Sequence, residues 1–316
     1  MGEGENMSGS DYPPTNAIMK WMELVQTYTQ RLLTDPADKL NAISGIAQKY
    51  AKKLREYQER YPDPDALWEM RKRENVESRE KEPRVEYMAG LWYRPLTRKR
   101  LFCIQLLWGT ALYKSSQYRS QSLTNGSYDI KNTILPPEGA PRRSAKHLTP
   151  SWSWVSIQEA VYYEDWIQKS YVSSELEILR YSVDIPIALT VEGRLGRLSY
   201  DQGHCSWSID SWKSVDSWRP PNWWTVEFRL NTWKDVEEIA RIARGKKEGW
   251  ILIAVMGGED SGKPTDPPWT LSTPKGLVVV ADGEMYRRIG ICSLEAERPR
   301  PTDLSGLGTL QTITIM

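Results

Sequence analysis

The spacing of apolar residues changes once along this chain of 316 residues, and that change limits the fold more than any other feature. Up to Tyr57 they recur every third or fourth position, whereas beyond residue 149 they recur every second position in short runs. The first period lines one stripe of a helix and the second lines one face of a strand. The sequence thus predicts an α+β fold, with a helical N-terminal half packed on a mostly antiparallel, β-rich C-terminal half.

From about Ala17, the residues Ile18, Trp21, Met22, Val25, Tyr28 and Leu32 form one apolar stripe, which predicts a helix. Asp35-Pro36-Ala37-Asp38 then places a capping carboxylate before a proline at the first helical position, with a second acid facing the helix dipole. Leu40, Ile43, Ala47, Tyr50, Leu54 and Tyr57 continue a second stripe, so two helices are expected to pack as a hairpin. Gly45 inside that stripe predicts a close approach by another element. Residues 1–15 read as a small, polar, disordered tail, and residues 52–86 as a charged connector broken by Pro62, Pro64 and Pro83. "RLFCIQLLWGTAL" is apolar nearly all round and predicts a buried helix over about Lys99–Tyr113. Residues 114–149 are rich in Ser, Asn, Gly and Pro, as in a long irregular connection. The expected organisation is a tail at 1–15, a helical region at 16–148 and a β-rich region at 149–316.

In the last region "LEILRYSV", "IPIALTV", "GRLSY", "WTVEFRL", "WILIAVM", "GLVVVA", "YRRIGIC" and "LQTITIM" read as strands separated by turn residues. One helix near 233–244 interrupts them, capped by Asn231 or Thr232, with Val236, Ile239, Ala240 and Ala243 inward and Gly245 beyond its end. In "SWSWVSI", alternation on a strand would put Trp152, Trp154 and Ser156 on one face and Ser151, Ser153, Val155 and Ile157 on the other. The tryptophan pair is expected to be a core anchor whose indole N–H groups bond nearby loop carbonyls, rather than a stacking platform.

Composition limits function. Lys plus Arg number 42 against 41 Asp plus Glu, a balance without the basic footprint of a nucleic-acid binder. The chain contains no apolar run of about 18 residues, so no membrane span is expected. Three widely spaced cysteines, Cys103, Cys205 and Cys292, point to reduced thiols in a cytosolic or nuclear setting, and a cytoplasmic protein is expected. Gly257 to Lys263 fits GxxxxGK, but Pro264 stands where the magnesium-binding hydroxyl belongs, so a polar hairpin loop is expected there. His147 and His204 are the two histidines. Asp201-Gln-Gly-His204-Cys205 lacks the second ligand pair of a zinc site, while a Cys-His hydrolase remains an alternative reading of it. Trp207, Trp212, Trp218, Trp223 and Trp224 crowd one segment; as an exposed row they would form a glycan or peptide binding module, and as buried rings they would form core. No cofactor, metal or catalytic residue is assigned.

One set of pieces in order carries more information: Trp21 to Ala47 with Asp38, Leu40 and Gly45, "EYMAGLWYRPL" with Gly90, Leu91 and Trp92, "QLLWGTAL" with Trp108, and "PSWSWVSI" with Pro150, Trp152 and Trp154. With the tail pattern "GLVVV", "YRRIGIC" and "QTITIM", this resembles fungal heterokaryon-incompatibility (HET) domain proteins, in the region that follows the HET domain. The resemblance implies a self/non-self recognition protein linked to programmed cell death. In that family the HET domain resembles TIR-type folds with NAD cleavage as its implied activity, and its "W-x-D-x-x-C-I-x-Q" and "RGW-x-x-QE" stretches do not occur in these residues. What the resemblance implies here is therefore a non-catalytic accessory region, with a HET domain as protein partner in cis or in trans.

Overall fold

A computed structural model describes residues 13–31, 38–60, 86–93, 99–110, 149–158, 160–163, 171–173, 176–182, 187–201, 206–210, 224–259, 270–296 and 308–316. The chain is α+β, with its helices mostly N-terminal and its strands predominantly antiparallel.

Helix α1 (Pro13–Thr29) begins at Pro13 rather than at Ala17. Pro13 and Pro14 fall in the first turn, where N–H groups have no intrahelical acceptor and a missing donor costs little. Ile18, Trp21, Met22 and Val25 are buried. Helix α2 (Lys39–Arg60) buries Ile43, Ala47 and Leu54 and packs on α1 through Trp21 and Tyr50, whose rings lie 5.2 Å apart. It continues past Lys52, where a connector is expected, because Lys52, Lys53, Arg55 and Glu56 are solvated on its outer face while Leu54 stays in the core. The close approach expected at Gly45 does not occur among the described residues: Gly45 is exposed, and a Cβ there would meet nothing within 4 Å. Leu32 and Asp35-Pro36-Ala37 lie outside the described residues.

The N-terminal half is not wholly helical. Strands β1 (Glu86–Met88) and β2 (Leu91–Tyr93) form a hairpin whose turn residues, Ala89 and Gly90, have φ of 43° and 98°, the positive pair that matches the twist of a tight hairpin. The buried helix expected over Lys99–Tyr113 is also corrected. Helix α3 (Lys99–Gln105) stops early, and Trp108–Thr110 becomes strand β3, paired with β4 (Val161–Tyr163). An apolar run buried on all sides does not separate helix from strand by periodicity alone. Gln105 ends the helix: fully buried, it exchanges two 2.8 Å hydrogen bonds with the backbone N–H and carbonyl of Trp92 and so acts as an extra strand partner for β2.

The main sheet contains β5 (Tyr171–Ser173), β6 (Glu177–Ser182), β7 (Ala188–Asp201), β8 (Ser206–Asp210), β9 (Trp224–Leu230), β10 (Gly249–Glu259), β11 (Thr270–Asp282), β12 (Met285–Ala296) and β13 (Thr309–Ile315). Its centre is the antiparallel meander β10-β11-β12. The "ALTV" of the first run and "GRLSY" join into the single long strand β7, which divides its partners. Its first half pairs with β6 and β13, and its second half pairs with β10 and β8. β9 pairs along the far side of β12 and returns to β8, where the rings of Trp207 and Phe228 are 5.2 Å apart.

Both faces of the meander are buried, which explains its near-continuous apolar sequence. Leu252, Ala254, Leu277, Val279 and Ile291 join a first core with Leu189, Val191 and Ile313, and the N-terminal elements pack into it. Ile251, Ile253, Val278, Val280 and Ile289 join a second core with Val226, Phe228 and Leu230 of β9 and with Ile239 and Ile242 of helix α4 (Trp233–Ala243). Thr232 caps α4, its hydroxyl accepting from the Asp235 N–H, and Gly245 closes the helix with φ of 67°. Gly249 lets α4 sit directly on β10, since a Cβ there would stand 2.4 Å from Ile242 Cδ1.

Two glycines should respond oppositely to the same substitution. At Gly290 a Cβ would lie 2.5 Å from the carbonyl oxygen of Arg229, on backbone that cannot yield, so Gly290→Ala is expected to destabilise by about 2–3 kcal/mol. Gly45→Ala, on an open helix surface, should stabilise by about 0.5–1 kcal/mol. Urea unfolding at low protein concentration reads both shifts.

Candidate functional site: a buried tryptophan and arginine junction

The sequence landmarks around Gly90, Trp108 and Trp152 meet where the N-terminal elements cover the first core. Trp21 and Trp154 donate their indole N–H groups to one acceptor, the carbonyl of Gly90, at 3.1 and 2.9 Å. Only glycine fits that turn position: φ is 98°, and a Cβ would stand 2.6 Å from Trp154 Nε1. The Ser153 hydroxyl donates to the adjacent carbonyl of Ala89. Trp92 and Tyr87 complete the ring cluster around Trp21, edge-on at 5.5 and 5.7 Å. Trp108 donates its indole N–H to the carbonyl of Trp152 at 3.0 Å.

"SWSWVSI" is not a strand. It is a turn followed by a 3₁₀ turn at Trp154–Ser156, with the Ser153 hydroxyl capping the Val155 N–H at 3.2 Å. Serines compete for local backbone groups in this way and break the extended ladder that alternation would need. The two tryptophans therefore part. Trp152 sets its ring against Tyr181 at 6.0 Å, whereas Trp154 faces Tyr28 at 6.2 Å. Both are fully buried. Trp154 bonds a turn carbonyl as expected, but the Trp152 indole N–H has no hydrogen-bond partner. Pro150 is buried beside them, and Leu91 is buried in β2. Leu40 is half-buried, while Asp38, just before α2, and Gly45 within it are exposed.

The residue that sequence reading misses is Arg288, fully buried in β12. Its guanidinium stacks on the Trp108 ring with the central carbon 3.6 Å from the ring centroid, and it donates to the carbonyls of Trp108 and Gly290. A desolvated cation over an indole contributes about 2 kcal/mol, and hydrogen bonds from a charged donor about 1.5–3 kcal/mol each, which offsets part of the cost of removing the charge from water. The backbone N–H of Arg288 donates to the Ser151 hydroxyl at 2.9 Å. Ser151 in turn donates through its hydroxyl and its N–H to the carbonyl of Met316, whose own N–H reaches the carbonyl of Tyr286. The neighbouring Arg287 points through the opposite face of the sheet and pairs with Asp235 at 2.8 Å and Glu238 at 3.3 Å on α4. Consecutive strand residues thus tie the two layers to the same sheet position. The one sequence signal for this was a pair of arginines inside an apolar strand. Lys39, buried within "DKL", donates its ammonium to the carbonyl of Ile157 and fixes the start of α2 to the end of the Trp154 turn.

The chemistry these groups can perform is restricted by burial. Burial raises the Tyr163 pKa strongly, with Arg288 opposing and Tyr87 adding to the shift, and burial likewise raises that of Tyr87. Burial pushes the Cys292 thiol up to about 12, against the opposing pull of Lys275 and a backbone hydrogen bond from Gly276. A thiol held protonated does not act as a nucleophile near neutral pH. Cys103 is buried too, and Cys205, His147 and His204 lie outside the described residues. Among the described residues no group of three or more His, Cys, Asp or Glu could hold a metal ion. Of the tryptophan row, Trp207 is half-buried and packs between Tyr200 and Phe228 at 4.8 and 5.2 Å, as core rather than platform. Trp212, Trp218 and Trp223 are outside the described residues. Gly257–Glu259 belongs to β10, where Gly258 and Glu259 pair with β11 as in a hairpin arm and Gly257 pairs with Val172 of β5, with the rest of the GxxxxGK stretch outside the described residues.

Folded-state pKa values above the ordinary ones carry a pH signature. The unfolded thiol and phenols lose protons from about 9 and 10 upward, while the buried groups stay neutral, so alkali favours the unfolded chain. Stability should be fully present below pH 9 and fall above it, by on the order of 1 kcal/mol per pH unit for each group. Cys292→Ala is expected to flatten the onset of that fall, as read from urea midpoints between pH 8 and 10.5.

Among the described residues no helix is long and apolar enough to cross a membrane. Comparison of the chain with protein-family models, with curated proteins and with solved structures finds no match.

Proposed function

We propose that this chain is a non-catalytic accessory region of a HET-type self/non-self recognition protein, acting in the cytoplasm in incompatibility cell death beside a HET domain supplied in cis or in trans. The observation that supports this reading is the convergence of Trp21, Gly90, Trp92, Trp108, Trp152 and Trp154 in one buried joint. These are among the residues on which the resemblance rests, and each packs in the core where the layers meet, while Asp38 and Gly45 of the same set are exposed. The sealed thiols of Cys103 and Cys292 and the strongly raised phenol pKa values of Tyr87 and Tyr163 accord with a scaffold that positions a partner's chemistry.

Two assays on the intact chain test the proposal. Incubated alone with NAD, it is expected to give no nicotinamide release above buffer. Co-expressed with a HET domain, it should co-purify with that domain, and Gly90→Ala, which breaks the joint, should abolish the association. NAD turnover by the chain alone would overturn the proposal, as would a HET domain that elutes separately from the well-folded wild-type chain.

A further inference from the structure

Asp38, the helical residue just before α2, and Gly45 and Lys52 within it stand seven residues apart. At 100° per residue that spacing puts all three on one face, and all three are exposed. Exposed Ala42 and Lys49 lie on the same face, with Ile46 at its flank 40 % exposed. This face carries none of the intramolecular packing that a mid-helix glycine usually serves: a Cβ at Gly45 would meet nothing within 4 Å. Glycine there costs the helix about 1 kcal/mol relative to alanine, with no offsetting contact among the described residues.

We infer that this face is a self-complementary interface, on which a second copy of the chain packs its own α2 antiparallel across Gly45. A two-fold axis through Gly45 sets Asp38 of one copy opposite Lys52 of the other, and the reverse, each about 10 Å along the helix from the crossing. Around Gly45 the exposed face presents small Ala42 beside polar Asn41, Gln48 and Lys49, with Asp38 at one end and Lys52 at the other, and the two-fold axis sets Lys49 opposite Asn41 so that no like charges face one another. Two parallel copies would instead bring like charges together, so the charge order selects the antiparallel arrangement. Lys52 already lies 4.0 Å from Glu56 on its own helix, but both side chains are more than half exposed, a pair too weak to hold Lys52 away from a partner. Missing a Cβ, Gly45 allows the two backbones to approach closely, as small residues do at tight helix crossings. One helix face buries less than the roughly 1,200–2,000 Å² of a permanent complex, so the dimer is reversible and weakens with salt.

Sedimentation velocity of the full chain, across two decades of concentration at low and high salt, tests this. The wild type should pass from monomer to dimer with rising concentration. Asp38→Lys, Lys52→Asp and Gly45→Gln should each weaken the dimer about tenfold or more. The double variant Asp38→Lys with Lys52→Asp should restore it, because the swapped charges again face one another. Circular dichroism confirms that each exposed substitution leaves the fold intact, and Gly45→Gln keeps the test decisive if a charge change disturbs the start of α2. A chain that stays monomeric at every concentration, or a double variant as weak as its parents, would overturn the inference.

Discussion

A single backbone carbonyl, that of Gly90, carries the junction of this molecule. Two indoles from segments far apart in the chain donate to it, one from α1 and one from the Trp154 turn. Both lone pairs of a buried acceptor are thereby used, and the hairpin β1-β2 is clamped between helix and turn. Rotating that carbonyl outward would leave two indole N–H groups without partners in a closed core, each at a cost of about 1–3 kcal/mol. The positive φ of Gly90 is what aims the carbonyl inward. A hairpin of three-residue strands is marginal alone, and here it persists because its turn is an acceptor for the layers on either side.

The same economy is seen at Arg287 and Arg288. Alternation along β12 sends one guanidinium to the acids of α4 and the other to the face of Trp108. The sheet therefore separates two cores that are not independent, since one strand position is bonded to both. Ser151 extends the joint by bonding Arg288 and Met316 together. Burial on both faces of the meander supplies the bulk of the driving force, while these polar contacts set which surfaces meet.

Much of the fold was legible because periodicity is a local property. The stripe of α1, the Thr232 cap and the apolar face of α4 follow from residues three and four apart, and the alternating runs became strands near their expected positions. What periodicity does not encode is context. "SWSWVSI" alternates like a strand, yet Ser153 caps a 3₁₀ turn once Ala89 and Met316 offer carbonyls to its serines. "RLFCIQLLWGTAL" is buried on all sides, and Gln105 bonding to Trp92 decides where helix gives way to strand. Arg288 was hidden for the same reason: a charge in an apolar strand reads as an edge residue until the ring that receives it is in place. At Gly45 the pattern predicts a close approach by another element, but none is made among the described residues and the position stays exposed, because a lone glycine in a stripe does not say on which face of the helix it falls.

Hydrogen exchange of the indole N–H protons, followed by NMR in the native chain, tests most directly whether the tryptophan landmarks act as one structural joint. If Trp21, Trp108 and Trp154 hold the layers in a single cooperative unit, their protons exchange together, at the rate set by global unfolding and with the same denaturant dependence. Exchange of the Trp21 and Trp154 protons orders of magnitude faster than that limit, while core amides of β10 and β11 stay protected, would contradict the account and show a layer that opens on its own.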